Sequence, residues 1–146
     1  MSLKAALHQY LAAQSAITTL VPAARIFRGR RNTGSALPAI TYFRVSGSDE
    51  DHQAAASGLA TCRLQFDVWA STDSGAEAIY AALRAELHTM QMTTIGTGGN
   101  ATSIDLVTLT NPIDKSDWPR DGSDTHTYNI SIDAVIKYRT TVPTFS

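Results

Sequence analysis

The chain has 146 residues, 43% hydrophobic and 17% charged, with a formal net charge of −1 and a single cysteine, Cys62. That length suits one domain, residues 1–146, able to bury a core without a covalent staple. The near-neutral charge argues against a dedicated nucleic-acid binder, one cysteine excludes an internal disulfide framework, and no apolar run approaches the ~18 residues of a membrane span.

In chain order, Ser2 is placed to cap a helix from Leu3 to about Gln14, with Leu3, Leu7, Tyr10 and Leu11 on one face. Ser15 is placed to cap a second short turn through Thr18 to Leu20, which Val21-Pro22 ends. Arg25 to Arg28 reads as a short strand, and Gly29 to Leu37 as a loop rich in arginine, glycine and serine. Pro38 introduces a strand from Ala39 to Val45, whose faces are Ile40/Tyr42/Arg44 and Thr41/Phe43/Val45. Neither face is wholly polar, so both are expected to be partly covered. Ser46 to Gly58, with the acidic run Asp49-Glu50-Asp51, reads as a loop or hairpin tip.

Leu59 to Ala70 carries the clearest alternation in the chain. Ala60, Cys62, Leu64, Phe66, Val68 and Ala70 point one way, and Thr61, Arg63, Gln65, Asp67 and Trp69 the other. Cys62 on the apolar row reads as a small buried hydrophobe. Thr72 or Asp73 can cap the following helix, whose apolar stripe is Ala76, Ile79, Tyr80, Leu83, Leu87 and Met90. Gly96 to Asn100 is a turn. Ser103 to Thr110 is a strand with Ile104/Leu106 on one face and Val107/Leu109 on the other. Asn111 to Asp124 is a polar loop. Thr125 to Arg139 is the last and longest strand, its apolar row running His126, Tyr128, Ile130, Ile132, Ala134, Ile136 and Tyr138.

This order, α-β-β-β-α-β-β, predicts an α+β domain of two layers. A mainly antiparallel sheet of about five strands would carry two main helices on one face. The row Arg63, Gln65, Asp67 and Trp69 would lie on the other face, and Trp69 and Val135 there suggest cover by a hairpin or a neighbouring subunit.

No catalytic signature emerges. Gly96-Thr-Gly-Gly99 lacks the Gly-Lys-Ser/Thr of a phosphate loop, and no serine sits in a Gly-x-Ser-x-Gly elbow. His88 has no metal-ligand partner at helical spacing, and His52 among Asp49 and Asp51 reads as a solvated loop. Asp67 with Glu77 or Glu86 makes no positioned acid–base pair. The chain is read as a non-enzyme without cofactor or metal. The one constellation of interest is basic: Arg25, Arg28, Arg30 and Arg31 within seven residues. Three readings stand open for it: a solvated loop, a contact with the acidic Asp49-Glu50-Asp51 run of a neighbouring copy, or phosphate contacts.

Several segments in order resemble the tail-completion, or tail-terminator, proteins of long-tailed bacteriophages and prophages. They are Leu3-Lys-Ala-Ala-Leu7 through Leu20-Val-Pro22 and Arg25-Ile-Phe27, then Leu37-Pro-Ala-Ile-Thr-Tyr42 with Arg44-Val-Ser-Gly47. Arg63-Leu-Gln-Phe-Asp-Val-Trp-Ala70, running into an alanine-rich helix, and the closing Tyr128 to Tyr138 complete the set. The resemblance implies a structural virion protein, assembled in the host cytoplasm, that forms a hexameric ring at the head-proximal end of the tail. Its partners would be further copies of itself, the tail-tube protein and the head-tail connector. DNA would pass through the ring without specific binding, and no membrane would be involved. The family has no catalytic residues to carry over. The candidate subunit or partner interface is Arg28, Arg30, Arg31, Asp49, Glu50 and Asp51. A connector or tail-tube subunit, or a small nucleic-acid-binding module, are the rival readings.

Overall fold

Alternation and helical spacing become elements much as they read. The structure is a computed structural model that describes residues 3–29, 37–48, 59–96, 102–110, 112–114 and 127–139. Helix α1 is Leu3–Ala13, α2 is Ser15–Thr18 and α3 is Asp73–Thr89. The strands are β1 (Ile26–Arg28), β2 (Ala39–Ser48), β3 (Leu59–Ala70), β4 (Thr93–Ile95), β5 (Thr102–Leu109), β6 (Ile113–Asp114) and β7 (Tyr128–Arg139). Ser2, His126 and the loops expected at Gly96 to Asn100 and Asn111 to Asp124 fall wholly or partly outside the described residues. Thr72, not Asp73, caps α3: its Oγ1 accepts from Gly75 N at 3.1 Å. Ser15 is the first residue of α2 rather than its cap, which is Gln14 without a side-chain bond.

The α+β class stands, but the simple two-layer scheme does not. Among the described residues the sheet has seven strands in the order β1-β2-β3-β7-β5-β4, with β6 also on β7. β1 runs parallel to β2, so the sheet is mixed. β4 and β6, of three and two residues, are too short to leave a periodic signal, and β6 lies in the segment expected to be a polar loop.

α1 touches both edge strands, β1 and β4. In a flat sheet the five steps between them would span roughly 24 Å, whereas an 11-residue helix is about 10 Å wide and about 16 Å long. The sheet therefore curls toward α1, while α3 lies over the central strands β3 and β7 and α2 touches α3. The helices are thus not two equivalent rods on one flat face.

One core fills the curl. The predicted inner row of β3 is buried from Ala60 to Ala70, joined by Ile130, Ile132, Ala134, Ile136 and Tyr138 of β7. Leu7 and Leu11 of α1 and Leu83 and Leu87 of α3 close over it, all fully buried. Burial of each such side chain contributes about 1.5–3 kcal/mol. Tyr42 and Phe66 stack inside with ring centroids 5.4 Å apart.

Two bulges re-aim side chains. Between Ile104 and Leu106 the β5 register slips, so Ile104 and Val107 are buried while Leu106 is 43% exposed. The expected pairing of Ile104 with Leu106 on one face fails because the extra residue inverts the alternation. A second shift lies between Arg44 and Ser46 in β2. β2 itself runs three residues past Val45, to Ser48.

The outer face is not uniformly bare. Thr41, Asp67, Asn129 and Ser131 are buried there, each under 7% exposed. Two of them are bonded by neighbours on the same face, as buried polar groups usually are: Trp69 Nε1 donates to Thr41 Oγ1 at 3.0 Å, and Gln65 Nε2 to the Asp67 carboxylate at 3.2 Å, whereas Asn129 Oδ1 is enclosed without a partner. Farther along, Arg63 pairs with Asp133, and Phe43, Val45, Leu106 and Ile113 remain exposed.

Candidate functional site

The basic cluster starts in the short 3₁₀ turn Ala23–Arg25 and continues along the edge strand β1. Arg25 serves the fold itself. Its Nη1 donates to the Leu37 carbonyl at 3.1 Å, tying the far end of the following segment back to the turn. Arg28, the last residue of β1, is exposed and lies opposite Tyr42 in the register. Gly29 then adopts φ +115°, where a side chain would be strained, and its N–H donates to the Tyr42 carbonyl at 2.7 Å. The chain turns out of the sheet there, leaving Arg28 at a corner of the domain.

Two groups from other elements feel the Arg28 charge. Tyr42 is fully buried, its hydroxyl donates to the Lys4 carbonyl at 3.2 Å, and burial pushes its ionisation up against the smaller opposing pull of Arg28. His8, on the α1 surface one turn after Lys4, is half-buried, with Nδ1 enclosed and without a hydrogen-bond partner. Burial first, and then the Arg28 charge, hold the His8 ring below the usual histidine range. The two salt bridges among the described residues, Arg63–Asp133 and Arg139–Asp105, do not involve Arg28.

Of the residues expected at the interface, Arg28 is therefore placed. Arg30, Arg31, Asp49, Glu50 and Asp51 lie outside the described residues. β2 ends at Ser48, six residues and roughly 20 Å along the strand from Tyr42, and the acidic run follows it in sequence. Sequence reading missed His8. The signal was available, since Lys4 and His8 are four apart on a helix whose next turns are apolar, but it gave no hint that β1 would bring an arginine there.

The profile of the family described as tail completion protein gp17 matches residues 5–137, from α1 into β7. The chain belongs to this family. It is accordingly a structural protein of the phage virion and a component of the tail. A chain from the virion of a native gene transfer agent particle shares the fold, with a TM-score of 0.63 over 94% of this chain and 95% of that one, at 14% identity. No curated protein sequence matches. Among the described residues, no helix of this tail-completion protein is long and apolar enough to cross a membrane.

Proposed function

We propose that this tail-completion protein forms a closed ring of identical subunits, six by the family resemblance, that ends the tail tube and joins it to the head connector. The observation that carries the ring is that the exposed Arg28 is registered on Tyr42 of β2, while the acidic run Asp49-Glu50-Asp51 follows in sequence the far end of the same strand, Ser48. Opposite charges carried by two segments of one chain suit a head-to-tail contact, which closes into a ring when the rotation permits. In sequence, Arg30 and Arg31 follow Arg28.

The outer sheet face supplies a second kind of surface. Phe43, Val45, Leu106 and Ile113 are large apolar side chains left at 37–58% exposure, beside the half-buried Val135. They suit a flat neighbour such as the last ring of tube subunits. DNA would pass through without specific binding, in keeping with the net charge of −1.

Light scattering of the protein alone and with isolated tail tubes, with negative-stain images of the tube ends, tests this. Discrete rings, or density capping one tube end, support a terminator. Long tubes from the protein alone would make it a tube subunit instead. A monomer that ignores the tubes, or tight duplex binding at physiological salt, would overturn the reading.

A further inference from the structure

We propose that His8 and Arg28 together form a proton-linked seat for a carboxylate from the Asp49-Glu50-Asp51 run of a neighbouring copy, so that subunit association takes up a proton. This rests on the head-to-tail reading above.

Four observations carry it. Arg28 is an exposed guanidinium outside both salt bridges of the described residues. His8 sits within its electrostatic reach, on a helix that packs against β1. The acidic run is the longest uninterrupted stretch of one charge in the chain, and it follows Ser48, the β2 residue six positions beyond the Tyr42 that lies opposite Arg28. Nδ1 of His8 is enclosed with no acceptor beside it, so the neutral ring keeps its proton on Nε2, the nitrogen left to meet an outside group. Charging the ring would place an unsatisfied N–H at Nδ1 and a second positive charge beside Arg28.

Among the described residues, the other groups around His8 do not supply a compensating negative charge. On α1, Lys4 adds another cation, and the Tyr10 hydroxyl is engaged with Glu86 of α3. Arg25, just before β1, is bonded to the Leu37 carbonyl, and Tyr42 of β2 to that of Lys4. The segments of α2 and β4 packed on α1 contain no titratable side chain. An incoming carboxylate would supply the anion that the described residues of this corner lack. It offsets the Arg28 repulsion and accepts from Nε2, so the histidine holds its proton more tightly in the contact than in the free subunit. Association then strengthens as pH falls through the interval between the bound and free His8 values, and levels off below the free value.

The test is an NMR titration of the His8 ring in the isotopically labelled full chain, alone and with an unlabelled, end-blocked peptide of residues 47–53, Gly-Ser-Asp-Glu-Asp-His-Gln. The expected result is saturable binding that raises the His8 pKa. Affinity should grow about tenfold from high to low pH for each unit of that rise. His8→Gln should keep the binding seen at pH 8 and lose its pH dependence. Absence of binding at millimolar peptide, or binding with an unmoved His8, would overturn the seat. So would a His8 pKa that falls in a dilute monomer when Asp49, Glu50 and Asp51 are all made amides, because the run would then sit on its own subunit. Sedimentation of the full chain separates the two readings: pH-independent rings reject the seat and keep the ring, whereas absence of rings rejects the ring.

Discussion

The Tyr10 hydroxyl lies 3.0 Å from the main-chain oxygen of Glu86 and 3.1 Å from its Oε2, so one donor on α1 is shared by two acceptors near the end of α3. The two helices close over the same core, and this bond is a polar link between them. Tyr10→Phe should lower stability by about 1 kcal/mol, the usual worth of one such bond. Urea unfolding at pH 7 measures it.

The same contact has a pH signature. Burial and the Glu86 carboxylate push Tyr10 ionisation from 10.0 up to about 12. The folded-state value lies above the unfolded one, so the contribution is fully present below pH 10 and is lost as pH rises toward 12. Tyr42, raised by burial, acts in the same direction. Stability should therefore fall above pH 10, and less steeply in Tyr10→Phe than in the parent.

A Cβ at Gly75 would stand 2.7 Å from Thr72 Oγ1, the oxygen that caps α3. Gly75→Ala should thus displace the cap and forfeit the gain of up to about 1 kcal/mol that alanine brings inside a helix. Thr72→Ala alone should cost about 1 kcal/mol. With the cap already gone, Gly75→Ala should become stabilising. A double-mutant cycle by chemical denaturation reads this reversal, and simple additivity would refute it.

Met92 turns the chain from α3 into β4 with φ +62° and 82% exposure. Its side chain packs on little, while its backbone is held where L-residues are strained by roughly 1–2 kcal/mol. Met92→Gly should raise the melting temperature, unlike most changes to glycine.

Arg28→Glu should block association while leaving the fold intact, since Arg28 is exposed at the end of an edge strand. Pairing it with Asp49→Lys and Asp51→Lys should restore association. Light scattering at two ionic strengths measures both, and the parental contact should weaken with salt.

The site was only partly legible in advance. Arginine density picked out Arg28, but Arg25 in the same run spends its guanidinium on the Leu37 carbonyl, a partner twelve residues away. Nothing local marked His8. Its importance comes from Arg28, twenty residues on, which reaches it only because α1 packs on β1.

By itself, the sequence determined the rows of β3 and β7, the stripe of α3 and the α+β class, because alternation and helical spacing are local and strongly expressed in those segments. Tertiary structure decided the rest. It set β1 parallel to β2, added β4 and β6, and turned Leu106 outward at a bulge. It also buried Asp67 on a face that reads as polar. Each of these depends on the register between distant strands, and on a helix that touches both edges of one curled sheet, which no short window of residues encodes.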